Sequence, residues 1–329
     1  MKRVVVSSRS FGQVSDTSTR LLEDAGFDVW RIPEEERPLD ASKMVEIVAR
    51  ESPDVLVIGA EPITRPVLEA SSNLSMIMKH GVGVDNIDIQ AATARGILVA
   101  NAPGTNTAAV ADMTIAMMLA LLRGVYSAVQ STKSGGWERF VGHDFGAYTV
   151  GVIGTGKIGQ AVIHRLQGFE SEVLAYDIVQ DLDLLSHPKV RYVELRELLQ
   201  NSDVVTLHVP LVPGTKAMIG RDELEMMKPT AYLVNLARGE LVDEAALFEF
   251  LQHKRIAGAA VDVYAVEPPK SSQLIGLDNV LSTPHIAAYT FESMENMGRM
   301  CAQTIIDAMH SVECPNILNP QAMDLRRHS

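Results

Sequence analysis

Three side chains in the second half of the chain have the types needed for one piece of proton chemistry. Arg238 follows Tyr232-Leu-Val-Asn-Leu-Ala, Glu267 precedes Pro268-Pro269 beyond an apolar run that closes at Val261, and His285 follows Ser282-Thr-Pro. A guanidinium offers a planar fork to a carboxylate, an imidazole exchanges protons near neutral pH, and a neighbouring carboxylate fixes its tautomer and stabilises its charged form. Each residue alone has a plainer explanation: Arg238 as a strand cap or a partner of Glu240, Glu267 in a solvated Pro-rich loop, His285 as a satisfied structural histidine. Their common position at the ends of apolar runs is the informative point. In an open α/β sheet, ligands bind beyond the carboxyl ends of the strands, where the three side chains could converge.

A second constellation names a partner for that chemistry. Gly154-Thr155-Gly156-Lys157-Ile158-Gly159 follows the apolar run Thr149 to Ile153 and opens onto a helix-like stretch, and Asp177 closes the next apolar run 18 residues after Gly159. The first glycine makes a tight turn, the second lets the backbone approach a pyrophosphate, and the third lets helix pack closely on strand. The helix N-terminus then meets phosphate charge with free N–H groups and the positive end of its dipole. A carboxylate at Asp177 accepts from a ribose 2′-OH and repels a 2′-phosphate, and Ile178 and Val179 after it supply no cation, so NAD is expected rather than NADP.

These residues need a scaffold of parallel strands. In the first hundred residues, short apolar runs near Val4 to Val6, Val29 to Ile32, Val55 to Ile58, Ser75 to Met78 and Leu98 to Ala100 alternate with helix-like segments, the spacing of a flavodoxin-like sheet. Its first run ends in Ser-Ser-Arg-Ser, without the glycine pattern. Asn106 to Arg123 reads as one long helix, and Ser131 to Tyr148, with Trp137 and Phe140 among polar residues and glycines, as a projecting arm. Runs at Val150 to Ile153, Val173 to Tyr176, Val190 to Val193, Val204 to Leu207, Tyr232 to Val234 and Ala259 to Val261 predict a doubly wound sheet, and Phe291 to His310 a last long helix. The fold class expected is therefore α/β, two Rossmann/flavodoxin-like domains with parallel sheets.

Composition limits the partners. The 329 residues suit two domains, and 29 Lys plus Arg against 41 Asp plus Glu give a net charge of −12, which argues against nucleic acid or an anionic membrane as partner. No apolar run reaches the ~20 residues of a membrane helix. Two cysteines, Cys301 and Cys314, make no disulfide framework, so a reduced, cytoplasmic protein is expected. No metal site is expected.

Six linked motifs resemble those of the NAD-dependent D-2-hydroxyacid dehydrogenases, especially their phosphoglycerate dehydrogenase-like branch. They are His80-Gly-Val-Gly-Val-Asp-Asn-Ile-Asp88, Asn101-Ala-Pro-Gly-Thr-Asn106, the Gly154 to Gly159 turn, Asn235-Leu-Ala-Arg-Gly239, Val261-Asp-Val-Tyr-Ala-Val-Glu-Pro268 and Thr283-Pro-His-Ile286. The resemblance implies that Arg238, Glu267 and His285 are the catalytic arginine, glutamate and histidine. It implies cofactor contacts at Gly154, Gly156, Lys157, Ile158, Gly159, Asp177, Val209, Pro210, Leu236, Ala237, Asp262, His285 and Ala287, with Asp262 holding the nicotinamide carboxamide. Substrate contacts are implied at Val82, Gly83 and Arg238; Lys79 and His80 are candidate cations for substrate beside the 82–83 loop, Lys79 equally a solvated strand end.

The implied domains are a discontinuous substrate domain of 1–101 plus 290–329 and an NAD-binding domain of 102–289 carrying a dimerisation arm near 131–148. The active site is expected in the interdomain cleft of a homodimer acting on a small anionic 2-hydroxy or 2-keto acid, with no appended regulatory domain. Glu267 speaks against a formate dehydrogenase, which lacks that glutamate, and Gly59-Ala60-Glu61 departs from the arginine that phosphoglycerate enzymes often carry after the third strand. Two alternatives share the fold: an NAD(H)-sensing corepressor-like scaffold, and a dehydrogenase for a phosphonate- or phosphite-type anion.

Overall fold

The structure, a computed structural model, describes residues 1–310 and 314–326; 311–313 and 327–329 of the expected 290–329 segment lie outside the described residues. The chain divides into two compact units, Met1–Asn106 with Tyr289–Ser329, and Thr107–Ala288. Residues 102–106 and Tyr289, expected with the second domain, fall with the first.

The first unit runs β1 (Lys2–Val6), α1 (Thr17–Asp24), β2 (Phe27–Arg31), α2 (Ala41–Glu51), β3 (Val55–Ile58), α3 (Arg65–Glu69), β4 (Met76–Lys79), α4 (Ile89–Ala94) and β5 (Leu98–Ala100). Its strands form one sheet in the order β2-β1-β3-β4-β5, every pair parallel. Strand alternation divides the apolar side chains between two faces: Val4 and Val6 join one core cluster and Val5 the other.

The second unit runs α5 (Thr107–Leu122), α6 (Val125–Lys133), β6 (Thr149–Ile153), α7 (Lys157–Leu166), β7 (Glu172–Tyr176), β8 (Val190–Tyr192), α8 (Leu195–Asn201), β9 (Val204–Leu207), α9 (Arg221–Met226), β10 (Tyr232–Asn235), α10 (Glu244–Gln252), β11 (Gly258–Val261) and β12 (Val280–Ser282). The sheet order is β12-β11-β10-β9-β6-β7-β8, again all parallel. Chain order reverses between β6 and β9, and that switch point opens the crevice in which such sheets bind ligands. β12 was not expected from the sequence; Val-Leu-Ser is too short to carry a period.

The chain then returns to the first unit with α11 (Phe291–Met309) and α12 (Ala322–Arg326). α11 packs on α1 and β4. The return is pinned by Asn319, fully buried, whose Oδ1 accepts from Val99 N–H at 2.7 Å while Nδ2 donates to Ile97 O and Thr93 Oγ1 at 2.9 Å. A buried amide satisfied on both sides avoids the cost of an unpaired polar group.

The expected arm is shorter than 131–148. α6 takes its first residues, and Phe145 is buried against Phe169 with ring centroids 4.9 Å apart. Trp137, Phe140 and Val141 between them remain exposed. Among the described residues no single helix is long and apolar enough to cross a membrane.

Candidate active site

β10, β11 and β12 are adjacent and parallel, with Asn235 opposite Val261 and Val261 opposite Ser282. The segments that follow them therefore leave the same sheet edge, about 4.8 Å apart from strand to strand. Arg238, Glu267 and His285 stand on those three segments.

Each segment is shaped by side-chain acceptors that take backbone N–H groups. At the end of β10, Asn235 Oδ1 accepts from Ala237 N–H at 3.1 Å and its Nδ2 donates to Arg238 O at 2.8 Å, folding 235–238 into a tight loop. After β11, Glu267 turns back so that Oε1 accepts from Tyr264 N–H at 3.1 Å. After β12, fully buried Asp262 collects the next loop: Oδ1 accepts from Thr283 Oγ1 at 2.6 Å and Ile286 N–H at 2.8 Å, and Oδ2 from Ala287 N–H at 2.8 Å. That knot holds His285 at φ 56°, a left-handed conformation that costs a histidine energy and persists only where the surroundings impose it.

His285 Nδ1 lies 2.8 Å from Glu267 Oε2. With Oε1 occupied by Tyr264 N–H, the carboxylate is fixed at both oxygens, and Nδ1–H toward Glu267 leaves Nε2 as the ring's proton-exchanging atom. Burial opposes ionisation of Glu267, but the hydrogen bond and charge of His285, the Tyr264 N–H and the charge of Arg238 outweigh it, and its pKa falls below the ordinary glutamate value. The structure thus brings His285 and Glu267 into contact and sets Arg238 at the same edge within electrostatic reach of Glu267.

The glycine turn follows β6 at the switch point. Gly154 has φ +95°, and a Cβ there would stand 2.7 Å from the His208 carbonyl after β9. A Cβ on Gly159 would lie 1.9 Å from Gly154 O, so helix α7 reaches the strand only through glycine. A Cβ on Gly156 would meet nothing within 4 Å, which leaves open space beside the α7 N-terminus, where Lys157 and Ile158 present their N–H groups. Asp177, just past β7, accepts from Thr155 N–H at 2.6 Å. An open cradle at a helix N-terminus, with an acid at the end of the next strand, fits a dinucleotide. Val209 and Pro210 follow β9 across from the turn, while Leu236 and Ala287 are buried and Ala237 half-buried beside the Arg238 and His285 segments.

The model of the NAD-binding domain of the D-isomer-specific 2-hydroxyacid dehydrogenases matches residues 115–287, which lie within the second unit. The chain belongs to that family. Among relatives, a D-3-phosphoglycerate dehydrogenase of Methanocaldococcus jannaschii is 42% identical over 81% of this chain and 52% of its own length. A glyoxylate reductase of Pyrococcus furiosus is 37% identical over 93% of both chains. Among solved structures, the D-lactate dehydrogenase from Aquifex aeolicus complexed with NAD and lactic acid superposes with TM-score 0.85 at 27% identity, covering 97% of this chain and 99% of that one. The chain spans about half the length of the phosphoglycerate dehydrogenases it matches. The matched family model is that of an NAD-binding domain, and NAD is the cofactor that the glycine turn and Asp177 led one to expect.

In the first unit, Val82 and Gly83 lie in the loop after β4, where Val82 O accepts from Asn101 Nδ2 at 2.7 Å. Lys79 Nζ donates to Gly59 O at 2.5 Å and Asn86 Oδ1 at 2.9 Å, which ties the ends of β3 and β4 together. His80 is not the cation expected. It is 5% exposed; burial, with Lys79 and Arg31 nearby, lowers its pKa to about 3, so the neutral ring is the resident form. Its Nδ1 meets Ser10 Oγ at 2.9 Å.

Sequence reasoning missed several residues that shape the site. His208 lies under the glycine turn, its Nε2 3.0 Å from Thr206 Oγ1, and burial lowers its pKa to about 4. Asn235, Thr155 and Tyr192 were missed as well. Asn235 alone carried a usable signal, a polar side chain closing an apolar strand.

Proposed function

We propose that the chain catalyses the NAD-dependent interconversion of a short D-2-hydroxy acid and its 2-keto acid. The observation that carries this reading is the 2.8 Å contact between His285 and Glu267 on the sheet edge that also bears Arg238. When bound, NAD accepts or donates the hydride. In reduction His285 gives a proton to the carbonyl oxygen and in oxidation it takes that proton back, while Glu267 holds the ring and balances its charge. Arg238 clamps the substrate and polarises its carbonyl. Asp262 keeps His285 in place, and the resemblance adds the nicotinamide carboxamide as its remaining partner. The test is loss of NADH absorbance with glyoxylate, hydroxypyruvate and longer 2-keto acids; no turnover with any of them would remove this reading.

We propose further that the substrate carries no phosphate. The loop after β3 carries Glu61, whose Oε2 accepts from Gly59 N–H at 2.6 Å and whose Oε1 lies 3.6 Å from buried Arg37, itself bonded to Ser7 O. A carboxylate stands where a phosphate would need a cation, and Arg37 is engaged with protein acceptors. A kcat/KM for 3-phosphohydroxypyruvate above that for hydroxypyruvate would overturn this.

Glu267→Gln keeps the shape of the partner and removes its charge. The imidazolium then loses its counter-ion, so the alkaline limb of the pH profile for reduction should move to lower pH, read as kcat/KM against pH. An unmoved limb would take Glu267 out of the proton chemistry.

We propose a homodimer in a reducing, cytoplasmic setting. The exposed apolar residues Val125, Tyr126 and Val129 of α6 are followed along the chain by exposed Trp137, Phe140 and Val141, apolar surface that a second copy would cover. Cys301 and Cys314 are free and buried. Trp137→Ala should elute later than the parent on size exclusion at low protein concentration and converge with it at high concentration; identical elution at every concentration would count against this interface.

A further inference from the structure

The acid that reads the cofactor ribose is itself held by a relay that starts on the edge strand of the sheet. Tyr192 closes β8, the outermost strand. Its hydroxyl accepts from Asp181 N–H at 2.9 Å and donates to Thr155 Oγ1 at 2.8 Å. Thr155, having accepted there, turns its own hydroxyl proton to Asp177 Oδ2 at 3.2 Å. Every donor in the chain Asp181 N–H, Tyr192, Thr155 points toward Asp177, an arrangement in which each bond polarises the next. The 181 end is anchored in turn, since Asp181 Oδ2 accepts from Gln160 Nε2 of α7 at 2.7 Å and Oδ1 from Asp183 N–H at 2.9 Å.

Counting acceptor sites shows the result. An ionised carboxylate has about four lone-pair positions, two on each oxygen. Asp177 Oδ2 already receives the Thr155 N–H and the Thr155 hydroxyl, whereas Oδ1 receives only Val179 N–H at 3.1 Å. One acceptor position is left, and it lies on Oδ1. We propose that Tyr192 is a positioning residue for the cofactor ribose: through Thr155 it fixes Asp177 so that a single Oδ1 acceptor awaits a 2′-hydroxyl, and it thereby sets part of the preference for NAD over NADP.

A 2′-hydroxyl donates to that fixed acceptor and gains from its being held. A 2′-phosphate brings no comparable donor and meets the charge of Asp177 whichever way the carboxylate is turned. Freeing the carboxylate therefore weakens NAD and leaves NADP where it was. A tyrosine that merely braces the 177–183 segment would, on removal, weaken both cofactors alike.

Tyr192→Phe keeps the ring in place and deletes the relay. Titrating wild-type and variant with NADH and with NADPH, followed by nucleotide fluorescence, should show the Kd for NADH rising about three- to tenfold and that for NADPH staying within about twofold, the scale of one hydrogen bond. Thr155→Val should reproduce the effect, the double variant should add nothing to it, and Thr155→Ser should behave as wild-type. The proposal rests on Asp177 as the ribose acceptor, and wild-type protein checks that alone: equal affinity for the two nucleotides would overturn both. If wild-type prefers NADH, a parallel loss of both nucleotides in Tyr192→Phe, or no loss of NADH, overturns the role of Tyr192.

Discussion

His285→Asn is expected to lower kcat/KM for 2-keto acid reduction by about 10²- to 10⁴-fold, the usual worth of a positioned general acid. Asparagine is the informative replacement for a structural reason. His285 sits at φ 56°, and asparagine tolerates the left-handed region far better than alanine or leucine does. Its amide can still donate to Glu267, and the Thr283, Ile286 and Ala287 contacts to Asp262 involve other residues. The variant therefore loses the exchangeable proton and little else. Steady-state kinetics beside a thermal melt would separate the two effects. A folded variant that kept more than about a tenth of the wild-type rate would remove His285 from proton transfer.

Nothing in the sequence near His285 announces its left-handed conformation. The strands were readable because each is a run of β-branched or apolar residues bounded by turn residues, as Val55–Ile58 and Val204–Leu207 are. The glycine turn was readable because its spacing is dictated by backbone contacts within one strand–turn–helix unit, the closest being Gly159 on Gly154. The Asp262 knot was not, since its acceptors meet donors 21 to 25 residues further on, and no local pattern records such a meeting. Tyr192 was hidden for the same reason, 37 residues from the hydroxyl it serves. His80 misled in a different way. Residue type suggested a cation, but charge at a histidine is decided by solvation, and β4 carries this one into the interior.

Arg238→Lys is expected to cost about 10²- to 10³-fold in kcat/KM although the positive charge is kept, because a lysine is a point charge on a flexible stem and cannot present the planar fork that matches a carboxylate. The loop around Arg238 sharpens the expectation. Asn235 clamps Arg238 O, and the guanidinium Nη1 donates to Ala237 O at 2.7 Å, so the side chain is held against its own loop. Lysine has no second arm with which to keep that contact while engaging substrate. If the arginine both binds and polarises, its loss raises KM and lowers kcat together; if it only binds, KM alone rises. Glu267 separates a local from a general effect, for Arg238 is the last of the influences that depress its pKa, and a lysine there preserves the sign of that influence. The alkaline limb should therefore stay in place in Arg238→Lys while the rate beneath it collapses. A lysine variant within about threefold of wild-type would mean that charge alone suffices, and the carboxylate of the substrate would have to be read by some other group.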